Sequence, residues 1–316
     1  CQDPESEYFK GYHVLKSLKT RFSGVDGGLM SDSGILRVLV AEWPENQFFN
    51  LAFEEVLYLE SKLPTLRFWR NDRVVVIGRF QSPPLEINAL EARDLNIKLV
   101  RRFTGGGAVY HDLGNVNYAL TLPNHKLSIE ESFSVVATAV VEALGSLGVS
   151  NAYYRPLNDI EVDGLKISGM AACRTHDRVF VHGAMLVSSD ISILWRVLKI
   201  SREKLSDKKF TQSRVKRVTT VNEVLGRTVS PEELYKAISE ALSRRLGLEV
   251  EWGVPDNTEL RKALNMYRGK YATLEWNLKY VDEVRDLISD EEYEALRMIA
   301  RPSNYQERFI EVLGLE

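Results

Sequence analysis

From residue 35 onward the apolar positions follow two rhythms, a period of two that marks half-buried strands and a period near 3.6 that marks helices with one apolar face. Leu36-Arg37-Val38-Leu39-Val40 alternates as a strand, and residues 50–59 set Leu51, Phe53, Val56 and Leu57 on a helix that also carries Glu54 and Glu55. Two β-rich runs, 65–69 and 73–79, flank Asn71-Asp72, a spacing that predicts a hairpin. Pro83-Pro84 forces a loop, and 86–95 then reads as one short helix. Strands at 98–102 and 116–122 enclose a glycine-rich segment.

Residues 132–147 form an amphipathic helix with Ser132 or Ser128 as its cap and a close near Gly148. Asp163-Gly164, between apolar runs, is a strong short hairpin signal, and 178–187 is a further strand expected to pair antiparallel with that hairpin. Pro231, behind Ser230, opens a helix that runs to Leu246. The elements intersperse without a βαβ rhythm, so the fold class is α+β, with mixed, mainly antiparallel sheets flanked by helices. The expected organisation is an N-terminal arm over 1–34, a main body over 35–280, and a short helical tail over 281–316 broken at Pro302. The basic stretch 199–217 carries no apolar period.

Composition narrows the functional classes. A chain of 316 residues, 44% hydrophobic, builds one large core or a main domain with an appendage. A formal charge of −3 gives no bulk reason to expect nucleic acid or an anionic membrane as partner. No run reaches the roughly 18 apolar residues of a membrane helix. Cys1 and Cys173 cannot make a disulfide framework, which points to a reducing, cytoplasmic compartment.

Candidate chemistry centres on the run from Arg101 to Asn115, where two arginines precede Gly105, Gly106 and Gly107. Glycines reach positive φ freely, so successive N–H groups can converge on an anion; the same string also suits a hairpin turn. It matches neither the dinucleotide fingerprint nor the P-loop, both of which lead into a helix. Lys166 stands on the strand face opposite Leu165 and Ile167, either as an ordinary solvated lysine or as an ammonium facing a carboxylate, a phosphate or a developing oxyanion. His111, placed in the turn after the glycines, and His182 suit hydrogen-bonding roles as well as catalysis. No histidine pair has metal-ligand spacing, and Asp159 is the acid to consider beside a magnesium ion carried by a nucleotide. Cys173 is the one thiol in the body and reads as incidental.

Taken in order, these motifs resemble the lipoate–protein ligase family within the biotin/lipoate ligase superfamily. The carriers are Val76-Ile77-Gly78-Arg79-x-Gln81, then Arg101-Arg102-x-x-Gly105-Gly106-Gly107-Ala108-Val109-Tyr110-His111-Asp112-x-Gly114-Asn115. Asn158-Asp159-Ile160, Gly164-x-Lys166-Ile167-Ser168-Gly169-x-Ala171, His182-Gly183, the 204–218 segment and Lys270-Tyr271 to Trp276-Asn277 follow. The resemblance covers roughly 36–280 and implies a biotin/lipoyl ligase-like catalytic domain there. It implies two half-reactions: lipoate and ATP, with Mg2+, give lipoyl-AMP and pyrophosphate, and a lysine of a lipoyl-acceptor domain then attacks the mixed anhydride, releasing AMP. Acceptors of that kind are E2 subunits or the glycine cleavage H protein. On this reading Lys166 is catalytic, Arg102 holds acid or phosphate oxygens, and Val76 and Ile77 line the slot for the acyl chain. Gly78, Arg79, the glycine loop with Ala108, Val109 and His111, and Asn158, Asp159, Gly169, Ala171 and His182 complete the binding set. The basic 199–217 segment closes over the adenylate or meets an acidic acceptor.

Relatives in bacteria carry a sizeable C-terminal domain that assists adenylation, whereas only 281–316 follow the Trp276-Asn277 signature here. A separate accessory protein, or the arm and tail, is therefore expected to complete that step. Two alternatives stay open: a lipoyl or octanoyl transferase using a preformed acyl donor, and a non-catalytic lipoate-binding subunit.

Overall fold

A computed structural model describes residues 34–125, 127–199 and 218–312. The expectations for residues 1–33 and for 200–217 fall outside these described residues. Eleven strands are present among them: β1 (Ile35–Val40), β2 (Thr65–Trp69), β3 (Val74–Ile77), β4 (Lys98–Arg101), β5 (Val109–His111), β6 (Asn115–Pro123), β7 (Ala152–Arg155), β8 (Asp159–Val162), β9 (Leu165–Arg174), β10 (Arg178–Leu186) and β11 (Glu249–Gly253). They form an eight-stranded sheet in the order β11-β1-β2-β6-β10-β9-β8-β7 and a three-stranded sheet in the order β4-β3-β5. β1 is parallel to both neighbours and β3 to β4, while every other pair is antiparallel. The fold is thus α+β with a mixed, mainly antiparallel framework.

The helices that matter for the site are α1 (Gln47–Glu60), α2 (Ala89–Asp94), α3 (Ile129–Ser146), α4 (Pro231–Leu246), α5 (Asn257–Met266) and α6 (Asp290–Ile299). α3 and α4 cover one face of the large sheet, burying Val140, Leu144, Leu234 and Ile238 against Leu36, Phe68 and Leu120. α3 begins at a capping box, in which Ser128 accepts from the Glu131 N–H and Glu131 accepts from the Ser128 N–H, so Ser128 and not Ser132 is the cap. The small sheet is covered on both sides, as its continuous apolar strand β3 requires. Val74 and Val76 face α1 and α5, whereas Val75 and Ile77 face α2 and α6.

Two local expectations change. The runs 65–69 and 73–79 do not form a hairpin, because β2 lies in the large sheet and β3 in the small one. The connection is anchored away from a tight turn: Asn50 Nδ2 donates to Asn71 Oδ1 and the Asp72 N–H to the Pro44 carbonyl, both at 2.9 Å, before Arg73 turns through φ 38°. The helix expected over 86–95 is two pieces, Pro83–Glu86 and α2, split where fully buried Ile87 adopts extended backbone and bridges to Leu198. Residues beyond 280 pack into the body: Leu296 and Ile299 of α6 join the cluster around Ile77 and Leu99, and Gln306 donates to the Glu45 carbonyl.

Candidate active site

The cleft runs across the large sheet beneath the glycine loop. Its floor is one register row: Gly169 of β9 opposes Ala184 of β10, Ala184 opposes Asn117 of β6, and Asn117 opposes Trp69 of β2. All four line the cleft. Three interstrand steps at about 4.8 Å span roughly 14 Å, so the floor is a straight track that starts on small residues and ends at an indole.

Lys166 stands at the glycine end, 2.6 Å from Asp159 Oδ1 through its Nζ. The hairpin that presents it turns at Asp163 (φ 51°) and Gly164 (φ 77°), the doubly positive pair that the Asp-Gly signal predicts. Strict alternation would put Lys166 and Gly169 on opposite faces. They share one because the register slips between Ile160 and Glu161: Ile160 opposes Ser168, yet Glu161 opposes Lys166, leaving Ile167 as the extra residue of a bulge. Ile167 goes fully into the core and Lys166 turns toward the cleft. A Cβ on Gly169 would sit 2.6 Å from Lys166 Nζ, so glycine is what allows the side chain to lie there.

The glycine loop is held from behind. Arg102 is buried and turned onto its own loop: Nε donates to the Gly105 carbonyl at 3.0 Å, Nη2 to the Gly105 and Gly107 carbonyls at 2.6 and 2.7 Å, and Nη1 to the Val76 carbonyl at 3.2 Å. Burial lowers its pKa to about 10, which leaves it charged at neutral pH. In this arrangement the arginine shapes the cradle and adds its charge from below. Gly106 bends through φ 90°, and Gly78 meets it so closely that a Cβ there would lie 2.2 Å from the Gly106 carbonyl oxygen. Arg101, fully buried, donates to the carbonyls of Gly78, Arg79, Gln81, Trp276, Asn277 and Lys279, tying the 78–81 turn to the 276–279 segment.

A third group braces the loop from α1. Glu54, fully buried, accepts from His182 Nδ1 at 3.1 Å, and His182 Nε2 meets Thr104 Oγ1 at 2.8 Å. His111 lies in strand β5 and not in a turn; burial, with Arg102 and His182 nearby, pushes its pKa down to about 3, so it is neutral. Burial raises the Cys173 thiol to about 12, which holds it protonated.

Of the residues expected at the site, Lys166, Arg102, Gly106, Gly107, Ala108, Val109, His111, Val76, Asn158, Gly169, Ala171 and His182 line this cleft together. Asp159 reaches it through its ion pair with Lys166. Ile77 does not: it belongs to the cluster on the other side of β3, as the period of two dictates. Gly105 and Gly78 support the loop from outside the cleft wall, and the Arg79 guanidinium lies over the exposed Phe80 ring at 5.6 Å. Sequence reasoning missed Leu51, Trp69, Asn117 and Met170 in the wall, and Glu54 and Thr104 behind it. A carboxylate inside a helix as apolar as α1 was the available signal for Glu54.

Among the described residues no group of three or more His, Cys, Asp or Glu converges as a metal site, and no helix is long and apolar enough to cross a membrane. The family model described as lipoyl protein ligase A/B catalytic domain matches residues 46–243. The chain is 36% identical over 208 residues to a probable lipoate-protein ligase A of Mycoplasma pneumoniae, covering 64% of this chain and 61% of the relative. It therefore spans about three-fifths of that relative's length. It is 35% identical over 256 residues to lipoate-protein ligase A subunit 1 of Thermoplasma acidophilum, covering 77% of this chain and 96% of the relative. Among solved structures it resembles a bipartite lipoate protein ligase of T. acidophilum, described with its E2 lipoyl domain (TM-score 0.71, 34% identity, 78% of this chain and 97% of that one). It also resembles a lipoate-protein ligase A bound with ATP (TM-score 0.69, 31% identity, 77% and 98%). With the loop, the hairpin lysine and the fold in agreement, the chain belongs to the lipoyl protein ligase A/B catalytic domain family.

Proposed function

We propose that this protein ligates lipoate to a lysine of lipoyl-acceptor domains through lipoyl-AMP, at the expense of ATP, with a separate accessory protein completing adenylation. The observation that carries the reading is the register-aligned track from Lys166 to Trp69, charged at one end and with Leu51, Val76, Ala108, Val109 and Met170 among the side chains of its wall. That shape suits an eight-carbon acid whose carboxylate meets an ammonium and whose tail needs a dry slot. Lys166 offsets negative charge on the carboxylate, then on the α-phosphate, then on the oxyanion formed as the acceptor lysine attacks, all of which arise near one point. Asp159 orients Lys166, and the Arg102-held loop keeps backbone along the acid end. A magnesium ion brought by the nucleotide would neutralise its phosphate oxygens, with Asp159 the carboxylate at hand, a donor set that suits an ion mostly held by phosphates and water. The accessory protein is inferred from the Thermoplasma relative, which is named as one subunit of a ligase. Acceptors of the E2 or H-protein type and a cytoplasmic setting complete the proposal.

The test is acceptor mass after incubating the protein with lipoate, ATP and an apo acceptor domain, with and without the accessory protein. Mass gain from ATP is expected only with the accessory protein, and mass gain from synthetic lipoyl-AMP with the protein alone. Lys166→Ala should lower the lipoyl-AMP-dependent rate by about 100- to 1,000-fold, the usual loss on deleting one oxyanion stabiliser, with the fold retained. Near-normal transfer by that variant would remove Lys166 from the reaction. Gain with lipoyl-AMP, and none from ATP even with the accessory protein, would favour the transferase reading.

A further inference from the structure

The backbone of Lys166 is held from outside the sheet. The ladder between β10 and β9 ends where Met185 opposes Ser168, so β10 does not reach Lys166. That edge is taken up instead by Val218, which bridges Lys166 in parallel, and by the Thr219 N–H, which donates to the Lys166 carbonyl at 3.0 Å. On the other edge Glu161 opposes Lys166 at the register slip, so the lysine is gripped from both sides where the ladder is irregular. A closed turn fixes Thr219. Glu223 Oε2 accepts from the Thr219 hydroxyl at 2.8 Å and from the Thr220 N–H at 3.1 Å, and Thr220 Oγ1 accepts from the Glu223 N–H at 3.2 Å. This capping box opens the short helix Val221–Leu225. The helix is anchored twice more: Val221 is fully buried in the cluster that holds Ile167, and the Asn222 N–H donates to the Val187 carbonyl at 3.0 Å. Val187 in turn donates its N–H to the Gly114 carbonyl at 3.0 Å, at the close of the glycine-rich segment.

We propose that Thr220 and Glu223 are positioning residues for the transfer step: through the Thr219 N–H they fix the backbone of Lys166, and through Asn222 and Val187 they set its place relative to the glycine-rich segment. The inference rests on the lipoate reading above, in which Lys166 offsets charge at the reacting centre, and extends it to what holds that lysine still. Asp159 restrains only the ammonium end, through one ion pair. A point charge on a flexible four-carbon stem is poorly placed when its backbone is loose, whatever its tip contacts. The capped turn removes that freedom at the root of the side chain. Glu223 is itself exposed, so replacing it takes nothing from the core.

The test measures kcat and KM for acceptor modification from lipoyl-AMP by the full chain, followed by intact-protein mass. Glu223→Ala and Thr220→Ala are expected to lower kcat about tenfold with the acceptor KM little changed. That is short of the roughly 100-fold that a 1 Å misplacement can cost, because β8 and Asp159 still hold the lysine. Glu223→Gln and Thr220→Ser keep the box and should recover to within about threefold of wild type. In a Lys166→Ala background Glu223→Ala should cost nothing further, since residues acting as a unit are not additive. Ser289→Ala, which removes the matching box at the start of α6, should leave kcat unchanged. Hydrogen exchange of the Thr219 amide should quicken about tenfold in Glu223→Ala and not in Glu223→Gln. Wild-type kcat in both alanine variants overturns the proposal, as does a full tenfold loss on top of Lys166→Ala or an equal loss in Ser289→Ala. Unaltered exchange at Thr219 overturns it whatever the activity. A wild type that transfers nothing from lipoyl-AMP defeats the lipoate reading and the proposal with it, a result distinct from loss of positioning alone.

Discussion

Gly78→Ala tests the way the cradle is built. The added Cβ would lie 2.2 Å from the Gly106 carbonyl oxygen, 3.1 Å from its carbon and 3.2 Å from Arg102 Nη2. Two of those three atoms are backbone, so no side-chain rotation relieves the overlap. A tolerable carbon-to-oxygen contact needs about 1 Å more, and because Arg102 grips the carbonyls of Gly105 and Gly107, the loop must shift as a unit. Misplacing a positioning element by about 1 Å costs on the order of 100-fold in rate, or about 2.7 kcal/mol in the barrier. The expected result is a loss of that size in kcat/KM for acceptor modification from lipoyl-AMP, followed by intact-protein mass. Gly105→Ala, where a Cβ meets nothing within 4 Å, should lose much less. A Gly78→Ala enzyme within threefold of wild type, or one no worse than Gly105→Ala, would refute the claim that the loop sits rigidly on Gly78.

Other expectations follow from the buried charges. Arg101→Lys cannot serve six carbonyls, and stranding several of them should cost about 3 kcal/mol in urea denaturation; a change below about 0.5 kcal/mol would show that water replaces the guanidinium. The native pKa of His111 is depressed to about 3, so its contribution to stability is whole above its unfolded pKa and lost as pH falls toward 3. Between about pH 6.5 and 4.5 this amounts to roughly 2 kcal/mol, because the unfolded imidazole takes up a proton that the folded one refuses. His111→Gln should flatten that part of the stability profile, and a variant with the wild-type slope would contradict the assignment. Cys173, held protonated by a pKa of about 12, should alkylate at pH 8 about three orders of magnitude more slowly than a free thiol. Loss of activity in Cys173→Ala would instead revive a thioester mechanism.

Legibility along the chain was uneven for physical reasons. Helices with a strong cap and one apolar face, such as Pro231–Leu246 behind Ser230, were readable because their determinants are local. So was the Asp163-Gly164 turn, whose conformation few other residue pairs allow. The 65–69 and 73–79 runs misled because a short polar linker does not reveal whether the next strand pairs with the last one or joins another sheet; the Asn50 to Asn71 and Asp72 to Pro44 hydrogen bonds, made across the fold, settle it. Arg102 was visible as a cation beside glycines, yet its donors close on its own loop, a fact that depends on where three carbonyls end up in space.

By itself the chain determined its secondary elements where the signals were local, the identity of the loop and of the lysine hairpin, and the α+β class, since caps, turn residues and periodicity act over a few residues. Tertiary structure decided what those elements confront. It set the bulge at Ile167 that brings Lys166 onto the face of Gly169, the alignment of Gly169, Ala184, Asn117 and Trp69 into one track, and the bracing of Thr104 by His182 and Glu54. The register row and the buried polar pairs join residues tens to more than a hundred positions apart, whereas the bulge lies within a single hairpin; the energies of all three exist only once the strands have paired.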